Sequence, residues 1–319
     1  MLHTVLTDQW ELRFPIISAP MAGPTDGRFA ACVSRAGGLG MIGIGSGTAL
    51  DFIQDESDKA RQGGKFGLGL MVWAVKKRPE LLEAVIAAKP DLVSLSFGDP
   101  TPYVSACHAA NIAVATQVHS RAEARQAQAA GVDLVVAQGS EAGGHTGSVS
   151  TLPLLQIVLD EVACPVVAAG GIASPRGIAA VLAAGAAGVW IGTGFLATPE
   201  SRLVTAQRDR IVAARETETV LTHVFDYAQN LDWPDPYPGR ALKNRFTDEW
   251  HARVVELRDS DDGKMAFRQS RGNYEVDYIY AGQAVGLVKS SEQSLASLLE
   301  QWGNEAEHLL RQRAASLLG

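Results

Sequence analysis

Cysteine is scarce in this chain, and its few copies are scattered. The 319 residues contain three cysteines, Cys32, Cys107 and Cys164, and none stands near another cysteine or a histidine at metal-ligand spacing. A disulfide framework and a zinc-type site are therefore excluded. We expect three buried, reduced thiols, two in helices and one just before a strand.

Clusters of basic residues and long apolar runs are also missing. Lys and Arg number 28 against 35 Asp and Glu, so the net charge is −7, which argues against a nucleic-acid-binding protein. The apolar stretches are strand-sized or broken by glycine, and no membrane span is predicted. Residues 1–6 lack the basic region and apolar core of a signal peptide, so a cytoplasmic protein is expected.

The chain is rich in glycine and in short apolar runs. Its 32 glycines and 46% hydrophobic residues indicate a folded protein with many tight turns. The runs alternate with alanine-rich helical stretches, which is the rhythm of βα units. The eight predicted strands cover residues 15–19, 38–42, 66–71, 92–96, 113–117, 134–138, 166–170 and 189–193. The sequence therefore predicts an α/β fold, a (β/α)8 TIM barrel.

The most informative stretch follows the sixth predicted strand and holds a histidine in a glycine-rich turn. Residues 138–147 read QGSEAGGHTG, with the histidine at position 145. Glycines let backbone and ligand approach closely, and an imidazole suits proton transfer at neutral pH. Because barrel active sites lie at the carboxyl ends of strands, His145 is predicted to be catalytic. The alternative is a surface histidine in a glycine-rich loop.

Two glycine turns at the ends of the seventh and eighth predicted strands indicate a phosphate site. Gly170 and Gly171 lead into a helix N-terminus, while Gly192 and Thr193 add backbone N–H groups and a hydroxyl. Tight packing of helix on strand, which also uses glycine, is the alternative. Without a P-loop lysine, the pattern favours a phosphorylated ring cofactor, and FMN is the natural candidate.

Together these motifs resemble the nitronate monooxygenases, formerly called 2-nitropropane dioxygenases, a family of FMN-dependent barrel enzymes. The resemblance rests on PIISAPMAG at 15–23, GGLG at 37–40, QGSEAGGHTG at 138–147, AAGGI at 168–172, GT at 192–193 and YAGQ at 280–283. It covers most of residues 10–200 and returns near 280. The block at 138–147 is the most specific part, although FMN-dependent enoyl-acyl carrier protein reductases look similar there.

The resemblance implies that His145 is the base, or the anchor of an anionic nitronate, and that no metal is needed. Apolar strand ends would form the floor under the flavin ring, and two glutamines would meet its polar edge. The complete set of predicted cofactor-binding residues is Pro20, Met21, Ala22, Gly69, Gln138, Gly143, Gly170, Gly171, Gly192, Thr193 and Gln283.

Three positions depart from the family pattern. Gly69 stands where relatives usually have Asn, Ser96 where some have a second His, and Trp190 where Gln or Met is commoner. These departures bear on substrate preference more than on the binding of FMN.

After Pro199 the βα rhythm stops, and aromatic and proline-rich islands around Trp233 and Tyr237 suggest a lid. We predict an FMN-binding barrel at residues 1–200, completed by residues 273–319. The inserted segment, residues 201–272, is predicted to be a smaller, mainly helical lid or substrate domain that covers the flavin face.

The sequence thus predicts an oxidoreductase that uses FMN and O2 to oxidise alkyl nitronates, and nitroalkanes where His145 removes their α-proton. Its partners would be a nitronate-like small molecule and O2, and a homo-oligomer is left open. An NAD(P)H-dependent reductase of enoyl thioesters is one alternative. A flavin-binding protein that senses or sequesters a ligand without turnover is the other.

Overall fold

The structure is a computed structural model, and it describes residues 2–318. The strands are β1 (Ile16–Ser18), β2 (Gly40–Gly43), β3 (Phe66–Met71), β4 (Leu92–Ser96), β5 (Ala113–Val118), β6 (Leu134–Gln138), β7 (Gly144–His145), β8 (Val166–Ala169), β9 (Gly188–Ile191), β10 (Thr219–Thr222) and β11 (Gly239–Leu242). The α-helices are α1 (Val5–Trp10), α2 (Gly27–Arg35), α3 (Leu50–Arg61), α4 (Val72–Lys77), α5 (Glu80–Ala88), α6 (Thr101–Ala109), α7 (Arg121–Ala130), α8 (Thr151–Glu161), α9 (Pro175–Ala183), α10 (Thr205–Ala213), α11 (Val224–Ala228), α12 (Arg245–Trp250), α13 (Val254–Asp259), α14 (Asp261–Gln269) and α15 (Leu295–Leu318).

Eight of these strands form one parallel sheet that curls into a barrel. Their order is β1, β9, β8, β6, β5, β4, β3 and β2. The two edges meet, because the N–H of Leu39 donates to the carbonyl of Ile16 at 2.9 Å and the N–H of Ser18 donates to that of Leu39 at 3.0 Å. The predicted (β/α)8 barrel is confirmed, and each predicted strand lies within two residues of the observed bounds.

Strand side chains alternate between the barrel interior and the ring of helices, so neighbouring residues enter different cores. Ile17 and Met41 fill the interior, whereas Ile16 and Ile42 pack against helices. Trp190, one of the three departures from the family pattern, belongs to the interior cluster and is only 3% exposed. Its indole therefore packs in the interior of the barrel, beneath the strand ends.

The last helix packs on the outside of the barrel. Leu295, Leu299 and Trp302 of α15 are buried in the same cluster as the helix-facing strand residues. The Trp302 ring stacks on Phe195 with the ring centroids 5.6 Å apart. This helix, Leu295–Leu318, thus lies on the barrel wall, between α9 and α2.

The segment after α10 has a hydrophobic cluster of its own. Its buried members are Val224, Phe225, Ala228, Ala241, Phe246, Trp250, Leu257, Phe267 and Val276. Two of its strands, β10 and β11, form an antiparallel sheet with β7, which lies in the glycine-rich loop after β6. This sheet ties the segment to the carboxyl end of the barrel. The bounds of an inserted domain, residues 201–272, stay a prediction.

The cysteines lie where the sequence placed them, in α2, in α6 and just before β8, and all three are free thiols. Cys107 is buried, but Cys32 and Cys164 are half-buried, so the expectation of complete burial is wrong for these two. No helix within residues 2–318 combines the length and the apolar character needed to cross a bilayer.

Candidate active site

A cavity of about 530 Å³ lies at the carboxyl ends of the barrel strands. The predicted site residues that line it are Pro20, Met21, Ala22, Gly69, Gln138, Gly143, His145, Gly170, Gly171, Gly192 and Thr193. Gln283 is exposed and does not line it; its neighbours Gly282 and Ala284 do. The N–H of Gln283 instead donates to the carbonyl of Glu141 at 2.9 Å, so Gln283 anchors the loop after β6.

The turn after β1 forms an apolar wall of the cavity. The Thr25 hydroxyl donates to the Met21 carbonyl at 2.8 Å and accepts the N–H of Gly43 at 3.0 Å. These bonds fix the turn to β2. A Cβ on Gly69 would lie 2.4 Å from the ring of Pro20, so only glycine lets β3 pass this close to the turn. The space that a side chain at position 69 would occupy is thus taken by the ring of Pro20.

Two glycines after β8 turn the backbone toward the cavity. Gly170 has φ 95° and Gly171 has φ 72°, in the left-handed region that favours glycine. The chain then enters α9, whose N-cap Ser174 accepts the N–H of Gly177 at 3.2 Å. Within residues 2–318, no backbone carbonyl accepts the N–H of Gly171. Gly171 is exposed, so its N–H is open to solvent or to a ligand.

The neighbouring turn after β9 supplies a second set of donors. No backbone carbonyl of the described chain accepts the N–H of Gly192, and Thr193 begins a short 3-10 helix, Thr193–Phe195. The Thr193 hydroxyl accepts the N–H of Gly282 at 2.9 Å. The two adjacent turns therefore form a cradle of backbone N–H groups that suits a phosphate.

His145 is held between the barrel and the segment after α10. It lies in β7 and pairs with Gly239 of β11, and the residue is only 7% exposed. Its Nε2 lies 2.8 Å from a carboxylate oxygen of Asp226, which is 1% exposed. The other oxygen of Asp226 lies 3.0 Å from Nδ1 of His223. His145 is thus no surface histidine.

Burial and hydrogen bonding to the central carboxylate shift the pKa values of His145, Asp226 and His223. Burial alone would raise the pKa of Asp226, but hydrogen bonds from His145 and His223 outweigh it and lower that pKa. The hydrogen bond to Asp226 raises the pKa of His223. Burial lowers the pKa of His145, against an opposing effect of Asp226. These directions favour an ion pair of Asp226 with His223 and a neutral His145.

The neutral state fixes which nitrogen of His145 can act as a base. The ionised carboxylate of Asp226 accepts a hydrogen bond, so the proton of the imidazole resides on Nε2. Nδ1 then carries the lone pair, and no group within residues 2–318 bonds to it. This unpaired nitrogen belongs to a residue that lines the cavity at the strand ends.

Aromatic rings surround His145. The Trp233 indole stacks on the imidazole with centroids 3.3 Å apart and planes 7° from parallel. Phe97 meets Trp233 edge-on at 5.0 Å and Tyr237 at 5.4 Å. Phe97 has φ 61°, a left-handed conformation that is rare for a bulky residue and is held by these contacts. Trp233 lines the cavity, whereas Tyr237 packs behind Phe97.

Gln138 ends β6 and lines the cavity. Its Oε1 accepts a hydrogen bond from Gln117 Nε2 at 2.8 Å and lies 2.8 Å from His119 Nε2. Ser96, the remaining departure from the family pattern, accepts the N–H of Gln117 at 3.1 Å and does not line the cavity. The hydroxyl of Ser96 therefore supports the sheet rather than the site.

Sequence reasoning missed Asp226 and His223. They lie about eighty residues beyond His145 along the chain, and only the pairing of β7 with β11 brings them to it. A usable signal was present: Asp226 is a lone carboxylate between two aromatic residues, three positions after a histidine. That spacing brings His223 and Asp226 together at the start of α11.

Comparison with known proteins agrees with this geometry. The sequence model of the nitronate monooxygenase family matches residues 3–79 and 71–303. A probable nitronate monooxygenase from Staphylococcus aureus (strain Newman) is 33% identical over 89% of this chain and 92% of its own length. A second one, from strain MSSA476, is 30% identical with the same coverage.

Two solved structures share the whole architecture. FabK from Thermotoga maritima superposes with a TM-score of 0.85 and 30% identity, covering 99% of this chain and 100% of that one. The nitroalkane oxidase from Streptomyces ansochromogenes gives a TM-score of 0.79 and 28% identity, covering 97% and 99%. The cavity with its buried histidine, the family match and these relatives agree: the chain belongs to the nitronate monooxygenase family and is an oxidoreductase.

Proposed function

We propose that the protein uses FMN and O2 to oxidise alkyl nitronates, and that His145 extends the reaction to neutral nitroalkanes. One observation carries the proposal. His145 is a buried imidazole that lines the cavity; burial lowers its pKa, its Nε2 is bound by Asp226, and no group within residues 2–318 bonds to its Nδ1. A neutral imidazole is the protonation state required of a general base. It also favours the base over the alternative role as a cationic anchor.

The residues of the cavity fit FMN. The open N–H groups of Gly171 and Gly192, with the turn at Thr193, suit a phosphate dianion. The apolar turn at Met21 and Ala22 offers a flat contact for a ring, and Gln138 offers an amide to its polar edge. When bound, FMN would accept electrons from the substrate and pass them to O2.

The side chains of the cavity would remove the α-proton of the substrate and hold the base in position. His145 Nδ1 would remove the α-proton of a nitroalkane, which gives the nitronate in place. The positive charge that then forms on the ring faces the carboxylate of Asp226, which stabilises it. Trp233 covers one face of the imidazole, so the base is held in one orientation and shielded from water.

Oxygen consumption tests the proposal directly. We expect the FMN-loaded protein to consume O2 with an alkyl nitronate and also with the matching nitroalkane. The rate with the nitroalkane should fall at low pH, where His145 is protonated. Consumption that needs NAD(P)H and an enoyl thioester would favour the reductase. No turnover with either set of substrates would favour a flavin-binding protein without catalysis.

Gly192→Val should abolish tight binding of FMN. Gly192 has φ −106°, which any residue can adopt, and its Cβ would meet only Met21 Sδ at 3.3 Å and Ala19 Cβ at 3.4 Å. The fold should therefore persist, while the methyl groups block the approach of the phosphate. Loss of the charge-assisted hydrogen bonds to the phosphate should weaken the binding of FMN by roughly 10- to 100-fold.

Flavin content and the dissociation constant of FMN measure this effect. Gly47→Val is the matched control, because a Cβ there meets nothing within 4 Å and Gly47 does not line the cavity. Stoichiometric FMN in purified Gly192→Val protein would place the phosphate elsewhere.

Trp233→Ala should weaken substrate binding while FMN stays bound. The variant removes the ring stacked on His145. We expect KM to rise by about 2- to 10-fold, the effect of losing one aromatic contact. Trp10→Ala is the control, because Trp10 is also partly buried but lies in α1, outside the cavity. An unchanged KM would show that the segment around Trp233 does not shape the substrate site.

A further inference from the structure

A second buried histidine lies behind the cavity wall. His119 is 4% exposed and does not line the cavity. In the sequence it stands between β5 and α7, a position that suggests only helix entry. The structure shows more: its Nδ1 lies 2.9 Å from Glu123 Oε2 and its Nε2 lies 2.8 Å from Gln138 Oε1. His119 thus connects a carboxylate on a helix to an amide in the cavity.

Glu123 holds the imidazole in place from two directions. Its Oε2 also accepts the backbone N–H of His119, at 2.8 Å. Glu123 itself is fixed in the first turn of α7, where its N–H donates to the Ser120 hydroxyl at 3.2 Å. Burial would raise the pKa of Glu123, but the hydrogen bonds from His119 outweigh it and lower that pKa. An ionised, anchored acceptor therefore orients the ring.

The amide of Gln138 is oriented in turn. Its Oε1 accepts a hydrogen bond from Gln117 Nε2 and lies 2.8 Å from His119 Nε2. Because Nδ1 of the same ring faces the Glu123 carboxylate, both contacts are hydrogen bonds when His119 is the imidazolium, and the two donors then occupy both lone pairs of the oxygen. The Nε2 group must then point away from both donors, and no acceptor within residues 2–318 bonds to it. An amide without such partners could rotate by half a turn at little cost, because its two ends have the same shape.

We propose that His119, held by Glu123, is a positioning residue that fixes the amide of Gln138 with its N–H donors toward the cofactor. The inference rests on the proposed binding of FMN. A donor directed at the polar edge of the flavin stabilises the reduced, more electron-rich ring more than the oxidised ring. His119 therefore controls both the affinity for FMN and its reduction potential without touching it.

A double-mutant cycle tests this role. We expect His119→Phe and Gln138→Leu each to raise the FMN dissociation constant by about 3- to 10-fold and to move the midpoint potential to more negative values. The double variant should be no worse than Gln138→Leu alone, because His119 acts through that amide. His108→Phe is the control: His108 also pairs with a carboxylate, Asp133 at 2.8 Å, but lies exposed outside the cavity.

Three results would overturn the inference: a wild-type potential in His119→Phe, additive losses in the double variant, or an equal effect of His108→Phe. If His119→Phe does not fold, His119→Leu removes the same hydrogen bond with a smaller side chain and carries the same expectation. Failure of the wild-type protein to bind FMN would instead contradict the proposed cofactor, so the two failures are distinguishable.

Discussion

His145→Asn is expected to reduce turnover of neutral nitroalkanes by ~10²–10⁴-fold, the usual effect of losing a general base. Turnover of the corresponding nitronates should fall much less, because their α-proton is already gone. In the wild-type protein, activity on nitroalkanes should be lost as the pH falls below the pKa of His145. Burial lowers that pKa from its ordinary value of 6.5, so the base form persists at neutral pH.

The measurement is kcat for both substrate forms between about pH 6 and 9, with FMN content checked for each variant. His108→Asn is the matched control, since His108 also pairs with a carboxylate but is exposed and lies outside the cavity. Wild-type rates for His145→Asn with both substrates would refute the role of base. Activity that falls as the pH rises would instead indicate a cationic anchor.

Asp226→Asn is expected to lower turnover of nitroalkanes by about 10²- to 10⁴-fold although Asp226 never meets the substrate. The amide of Asn can donate to His145 Nε2, which moves the ring proton to Nδ1 and removes the lone pair that would act as the base. Asp226 also raises the pKa of His145 against the effect of burial. The residual activity should therefore have its midpoint at a lower pH than in the wild-type protein.

Asp133→Asn is the control for this variant, because it removes a carboxylate 2.8 Å from a histidine that lies outside the cavity. A thermal melt of each variant separates loss of fold from loss of activity. If Asp226→Asn retains full turnover and an unchanged pH profile, the protonation state of His145 does not depend on this carboxylate.

The barrel could be predicted from the sequence because its signals are local. Apolar runs such as residues 66–71 and 134–138 match strands β3 and β6 residue for residue. The helix signals are local too. The Ser120 side chain caps the N-terminus of α7, and Gly131 ends the helix in the left-handed conformation that glycine adopts readily. Regular alternation of such elements leaves few topologies other than the barrel.

The cavity wall could be predicted for the same reason, since strand ends of a parallel barrel meet at one face. Gln138, His145 and the glycines after β8 and β9 all lie there. Gln283 shows the limit of the approach. Its sequence neighbours line the cavity, but the backbone of Gln283 is used to anchor the loop at Glu141, which leaves its side chain in solvent.

The partners of the two buried histidines could not be predicted, because they depend on tertiary contacts. Asp226 reaches His145 only through the pairing of β7 with β11, and Trp233 only through the loop before β11. His119 has one partner that is near in sequence, Glu123, four residues after it. Its contact with Gln138 crosses from β5 to β6, and periodicity carries no information about it.

Anaerobic titration of the FMN-loaded protein with an alkyl nitronate tests the central claim most directly. Without O2 the electrons of the substrate have one acceptor, so the claim predicts that about one equivalent of nitronate bleaches the flavin absorbance and that O2 restores it. Bleaching by NAD(P)H with no response to nitronate would contradict the claim.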